Sequence, residues 1–244
     1  MSAHDIKVFG DQIAASRLET RLARLKATSL LRFVIGDLYP GRIALVSSFG
    51  ADAAALLHMV SRIDPGTPVI FVDTGQHFPE TLAYRDMLCE KLGLTDVVVA
   101  HPRAETIAQE DPEKFLFARD PDRCCEIRKV RPLAAAIEGY DAWITGRKGF
   151  QSANRASLPL FEAEGERIKI NPLVGWSASQ VLNYIQEVGL PRHPLVEKGY
   201  PSIGCLPCTG PVKPGEDERA GRWRGRGKTE CGIHLEALDA GAGI

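Results

Sequence analysis

Two pairs of cysteines constrain this chain more than any other feature: the adjacent Cys124 and Cys125, and Cys205 and Cys208 in a Cys-Leu-Pro-Cys run far downstream. Four thiolates are the ligand set of a 4Fe-4S cluster and equally of a structural zinc, so the count alone does not choose. The spacing does more. Neighbouring side chains diverge on a helix or a strand, which suits two corners of a bulky cubane better than two vertices around one small ion. A 4Fe-4S cluster on Cys124, Cys125, Cys205 and Cys208 is the preferred reading and zinc the weaker one. Inert core thiols or disulfides are the competing explanations, and two such close pairs without a secretory leader suit neither.

The stretch MSAHDIKVFGDQ at the N-terminus shows no charged segment followed by an apolar core, and no apolar run is long enough to span a bilayer. The expectation is a cytoplasmic protein without a membrane partner, in a reducing compartment where six cysteines point to metal or catalytic work. A formal net charge of -1 argues against general nucleic-acid binding, so any basic site must be local. The 244 residues fit a single domain, with a nucleotide-binding α/β core over about 43–188 and a cluster-ligand loop and mobile catalytic tail over about 189–244.

Apolar residues recur at helical spacing from Gln12 to Leu38, and Pro40-Gly41 ends the run, which predicts a helical pair. Ile43 to Val46 reads as a buried strand feeding Ser-Ser-Phe-Gly-Ala-Asp (Ser47 to Asp52) and then a helix to about Met59. Strand, glycine-containing loop and helix form a phosphate-binding arrangement, with backbone N–H groups facing an anion and the hydroxyls of Ser47 and Ser48 as added donors. An ordinary serine-capped turn fits the same residues, and the Gly-Lys-Ser/Thr of a nucleotide-hydrolysing P-loop is missing. Pro68 to Val72 is a second strand delivering Asp73-Thr74-Gly75, placed where open α/β sheets bind ligands, before a helix begun by Pro79. His77 reads as structural and Cys89, beside Leu88 and Leu92, as a core thiol. Asp96 to Ala100 and Ala142 to Thr145 are further strands.

Arg123 to Ile137 reads as one helix carrying Cys124, Cys125 and Lys129, with Arg128 and Arg131 on a face that would otherwise be solvated. Lys129 follows Cys125 by one turn, so its ammonium shares a face with that thiol and stands between the cluster edge and any anion nearby. Arg147, Lys148 and Arg155 follow the fourth strand and add positive charge at the same sheet edge. Arg167 to Ile170 is a short strand, and Ser177 to Val188 a helix capped by Ser177. Lys213 to Lys228 carries Arg219, Arg222, Arg224 and Arg226 among glycines, the composition of a mobile cationic lid or of a disordered basic tail. It leads into Glu230-Cys231-Gly232-Ile233-His234-Leu235, a lone cysteine with a histidine three residues on.

Together SSFG, DTGQHFPET, the CC pair with Lys129, QSANRASLP, GYPSIGCLPC, the ERAGRW arginines and ECGIHL resemble the assimilatory adenylyl-sulfate (APS) reductases, the iron-sulfur branch of the APS/PAPS reductase family. The match runs from about Ser47 to Leu235. This resemblance implies an adenine nucleotide α-hydrolase-like fold: a parallel sheet flanked by helices, with an irregular cysteine-bearing C-terminal segment. It also implies reduction of APS to sulfite and AMP in sulfate assimilation. Cys231 would attack the sulfur to form an S-sulfocysteine, and thioredoxin, or glutaredoxin, would then free sulfite. By the same resemblance Ser47, Ser48 and Gly50 hold the nucleotide, and the backbone of Val72, Asp73, Thr74 and Gly75 meets the adenine. Lys129, Arg155, Arg219 and Arg222 surround the phosphosulfate, and His234 sits beside the reacting group. The chain departs from the pattern at Lys148-Gly149, where relatives often carry two arginines, leaving one anion contact open with Arg147 as the neighbouring cation. Gly210 likewise stands where an arginine is common.

Reduction of PAPS, with its extra 3'-phosphate, or of both APS and PAPS, is the near rival, and the four ligand cysteines discriminate in favour of APS. An iron-sulfur tRNA-thiolating ATP pyrophosphatase would share the fold, but calls for a fuller SGGxDS loop and a basic RNA-binding face. A non-enzymatic cluster or zinc regulator leaves ECGIHL without a role. A homo-oligomer is compatible with the chain.

Overall fold

The computed structural model describes residues 12–234; the N-terminal stretch before Gln12 and Leu235 of ECGIHL lie outside the described residues. Strand β1 (Ile43–Val46) lies near the middle of a six-stranded sheet of order β3-β2-β1-β4-β6-β5, completed by β2 (Val69–Val72), β3 (Val97–Ala100), β4 (Ala142–Ile144), β5 (Phe161–Glu164) and β6 (Arg167–Ile170). All neighbouring pairs are parallel except β5 with β6. The sequences IALV, VIFV and AWI are apolar throughout because helices cover both faces of these strands. On one face Ile43, Leu45, Val69, Phe71 and Ile144 join the main core with helices α1 (Gln12–Leu22), α2 (Ala27–Phe33), α3 (Ala53–Ser61), α4 (Pro79–Leu92) and α9 (Ala178–Glu187). On the other face Ala44, Ile70, Val72 and Trp143 pack against Leu133 and Ile137 and against Ile233 of the tail.

The expected strand at Arg167 is half of a hairpin. Phe161–Glu164 pairs with it in register Glu164 to Arg167, and Gly165 takes the left-handed conformation (φ 58°) that the two-residue turn requires. The expected helix over Arg123 to Ile137 begins earlier, at Pro121. Asp120 caps it, its carboxylate accepting from the Arg123 N–H at 2.9 Å. The helical run is α7 (Pro121–Cys125), a π turn at Glu126–Val130 and α8 (Arg131–Ala136). Pro132 explains the wide turn, since it has no N–H for the Arg128 carbonyl and its ring would crowd that carbonyl in an α-helix. Short helices α5 (Ala104–Glu110) and α6 (Leu116–Arg119) precede it.

From β1 the chain moves outward to β2 and β3, then returns to lay β4 on β1's other side. The loops after β1 and β4 therefore diverge and open a crevice at the carboxyl ends of the strands, where α/β sheets of this kind bind ligands. After α9 the chain is irregular, and it crosses this edge through isolated bridges His77 to Cys205 and Thr209 to Arg222.

Candidate active site

The crevice is lined on the β1 side by Ser47, Ser48 and Gly50, and by Val72 at the end of β2. Phe49, in the middle of that loop, adopts a left-handed backbone (φ 47°) that a phenylalanine takes only when its surroundings impose it. Its ring is fully buried, edge-on to Phe71 at 5.6 Å, so core packing holds the tight turn after β1. Asp73, Thr74 and Gly75 are not among the residues that line the cavity. The Asp73 carboxylate accepts from the Gly75 N–H at 2.9 Å, and the buried Thr74 hydroxyl lies 3.3 Å from Cys205 Sγ. These three residues thus serve the cysteine group rather than the crevice wall.

Lys129, Arg147, Arg155, Arg219, Arg222, Cys231 and His234 all reach the cavity wall. Their charges are handled differently. Arg147 is buried against Glu162, and Lys148 faces Asp52 at 3.5 Å, so the strand-end cations are largely neutralised. Arg155 holds Glu230 in a fork, at 2.7 and 2.8 Å. Arg222 lies over the Trp223 ring at 4.4 Å, and its Nε is buried without a hydrogen-bond partner, as are Trp223 Nε1 and His234 Nδ1. The His234 ring stacks parallel on Trp143 at 6.0 Å. Burial, added to the charges of Arg147, Lys169, Arg155 and Arg219, keeps His234 neutral, its pKa well below the ordinary histidine value. Buried polar atoms without partners and a group of cations beside one cleft are features that an anionic ligand complements.

Burial disfavours the Lys129 ammonium, yet the neighbouring Cys205, Cys231 and Cys125 outweigh that and raise its pKa. The Lys129 ammonium therefore stands near both the cysteine group and the lone tail cysteine. Cys124, Cys125 and Cys205 are buried and Cys208 half-buried, and none of the six cysteines is in a disulfide. Burial and each other's charge push Cys124 to about 12 and Cys125 to about 11, and Cys208 upward. Burial also disfavours the Cys205 thiolate, but Lys129, the Thr74 hydroxyl and Arg222 hold this thiol below its ordinary value. Such a donor set fits a thiolate-liganded group, because iron or another cation relieves the repulsion among clustered thiolates. The thiols gather without closing on a point: among the described residues no three histidine, cysteine or acidic side chains are spaced to hold a single metal ion. Cys89 packs partly buried against the main core, burial raising its pKa, in keeping with a structural thiol.

Several participants were invisible to sequence reasoning. Arg128, which the sequence placed beside the cysteine pair without a partner, is buried in an ion pair with Asp111 at 2.6 Å and donates to the Thr74 carbonyl at 2.8 Å. Gln151 orients Arg155 at 2.6 Å. Trp223 is 2% exposed and carries Arg222, Arg219 and Lys228 around its ring. Gly204 lies close against Arg222: a Cβ there would fall 2.2 Å from the guanidinium, so the arginine's end would have to shift.

The sheet order, the crevice at its switch point and the serine-glycine loop define an adenine nucleotide α-hydrolase-like α/β protein. The model of the phosphoadenosine phosphosulfate reductase domain matches residues 42–211, and the chain belongs to that family. An adenosine 5'-phosphosulfate reductase of Chelativorans sp. (strain BNC1) is 52% identical over 230 residues, 94% of each chain. A phosphoadenylyl-sulfate (PAPS) reductase of Candida auris, solved as a phosphate complex, superposes with a TM-score of 0.71 and 28% identity over 83% of this chain and 98% of its own. An FMN adenylyltransferase of Candida glabrata shares the fold alone, at a TM-score of 0.53 and 15% identity over 86% of this chain and 68% of its own.

Proposed function

We infer that this chain reduces adenosine 5'-phosphosulfate to sulfite and AMP in sulfate assimilation, with thioredoxin or glutaredoxin as reductant. The observation that carries the reading is the convergence of Cys231, Lys129, Arg155, Arg219, Arg222 and His234 on one crevice beside the serine-glycine loop. Relatives named for this activity over nearly their whole length support it. Ser47, Ser48 and Gly50 receive the nucleotide, and the cations neutralise the phosphosulfate. The Cys231 thiolate attacks the sulfur, an S–S bond forms, the S–O bond to phosphate breaks, and AMP leaves with the electron pair. A thioredoxin thiolate then attacks Cys231 Sγ and sulfite departs with the S–S bonding pair. The second thioredoxin thiol resolves the mixed disulfide and restores Cys231. Movement of the tail between the crevice and the reductant lets one cysteine serve both steps.

Cys124, Cys125, Cys205 and Cys208 are the residues that would hold a 4Fe-4S cluster. Bound there, it would supply a polarisable charge centre and would cross-link the cysteine helix to the C-terminal segment. The four-thiol set also supports APS over PAPS as substrate, and the reducing chemistry suits the cytoplasm. Among the described residues no helix is long and apolar enough to cross a membrane.

The test is to measure AMP and sulfite from APS and from PAPS with thioredoxin, using anaerobically purified protein. Without thioredoxin, APS should release about one AMP per active site and leave a sulfo group on the peptide containing Cys231. Cys231→Ser should give neither product while keeping its iron. Absence of the adduct, or normal turnover by the serine variant, would defeat the mechanism.

A further inference from the structure

Two of the four cations assigned above to the phosphosulfate already hold an anion, and that anion belongs to the tail. Arg155 donates from Nε to Glu230 Oε1 at 2.7 Å and from Nη2 to Oε2 at 2.8 Å. Arg219 Nη2 donates to the same Oε2 at 3.2 Å and to the Thr229 carbonyl at 2.7 Å. The three side chains are only 10–14% exposed, so water screens these pairs little. Burial alone would raise the Glu230 pKa, yet Arg155 and Arg219 lower it below the usual carboxylate value. By contrast Arg222 keeps an unpartnered Nε, and no carboxylate pairs with Lys129 among the described residues. The cation group is thus divided: Arg155 and Arg219 are committed to a carboxylate, and Arg222 and Lys129 are not. The committed half is gripped by the residue that immediately precedes the nucleophile Cys231.

We propose that Glu230 is a built-in anion that latches the tail over the crevice and surrenders Arg155 and Arg219 to the outer anionic group of an incoming adenine nucleotide. This rests on the function proposed above. A bidentate Arg–carboxylate fork and an Arg–phosphate or Arg–sulfate fork use the same N–H donors in the same plane, so the two cannot be fully made at once. Because the latch is intramolecular, a ligand that needs both arginines binds with its affinity reduced by the fraction of molecules whose latch is open. A ligand without the outer group bears no such penalty. Exchange also frees the backbone at Glu230, so ligand entry loosens the segment carrying Cys231.

ADP, whose β-phosphate stands in for the outer group, and AMP, which lacks it, separate these terms. Calorimetric titration of the holoenzyme, wild type and Glu230→Gln, should show ADP binding about tenfold more tightly to the variant and AMP binding within about twofold of wild type. Glu230→Asp keeps the charge and should stay near wild type. In the wild type, ADP should speed alkylation of Cys231 by iodoacetamide and AMP should not, whereas Glu230→Gln should be labelled rapidly without nucleotide. Weaker or unchanged ADP binding by Glu230→Gln would make Glu230 a fixed strut for the two arginines and overturn the exchange. An equal gain for AMP would overturn it as well. If the wild type binds neither nucleotide, the nucleotide-binding reading itself fails and takes the latch with it.

Discussion

Removing one partner of the buried Arg128–Asp111 pair should damage the whole site from a distance. Arg128 Nη2 and Nε reach one Asp111 oxygen at 2.6 and 3.1 Å, and the other oxygen accepts from the Leu116 N–H at 2.8 Å. The side chains are 5% and 0% exposed, so no water replaces a lost partner. The same guanidinium holds the Thr74 carbonyl, and Thr74 touches Cys205, so one ion pair ties the cysteine helix to the Cys-Leu-Pro-Cys loop. Asp111→Leu strands a buried cation, a loss of about 3–5 kcal/mol. At roughly 2–4 °C per kcal/mol for a chain of this size, the melting temperature should fall by about 6–20 °C. Calorimetric melts of Asp111→Leu, Arg128→Met and the double variant test this, because the double variant leaves no unpaired charge. It should be more stable than the sum of the singles predicts by about 2 kcal/mol. A single-variant loss below about 1 kcal/mol, or strict additivity, would refute the reasoning.

Gly204→Ala drives a methyl group into the Arg222 guanidinium, which is the movable end of a long side chain. Stability should change by less than about 1 kcal/mol while KM for the nucleotide rises roughly tenfold; an unchanged KM would remove Arg222 from the anion site. His193 is fully buried, with Nδ1 accepting from the Leu195 N–H at 3.2 Å and Nε2 3.0 Å from the Thr81 hydroxyl, and burial lowers its pKa to about 4. The unfolded chain takes up this proton below about pH 6.5, so the stabilisation is whole above that pH and is lost as pH falls toward 4, by about 3 kcal/mol in all. Urea unfolding from pH 7 to pH 4 should therefore be steeper in pH for the wild type than for His193→Gln, and identical slopes would contradict the assignment.

Elements whose signal is local were legible in the amino-acid order. Strands β1 and β2 are short apolar runs between turn residues, and α9 carries its own capping box in Ser177 and Gln180. The paired cysteines, Lys129 one turn beyond them and the lone Cys231 were readable for the same reason, since spacing along a helix and residue type are properties of the chain itself. Strand β5 was missed because Phe-Glu-Ala-Glu is half polar and becomes a strand only when paired across the Gly165 turn, although a glycine-led two-residue loop between alternating segments is a usable signal.

Charge pairing was decided elsewhere. Nothing near Arg128 in sequence distinguishes it from the exposed Arg131; it is buried because α7 and the following π turn bring it against Asp111 and the loop after β2. Arg155 and Glu230 are separated by 75 positions, and meet because β4 lies next to β1 and the C-terminal segment recrosses the same sheet edge. Residue type and spacing along the chain determined which groups carry chemistry here. Which cation is buried, which is neutralised and which remains open to a ligand were decided only by the tertiary structure, because Coulombic and hydrogen-bond partners are set by proximity in space.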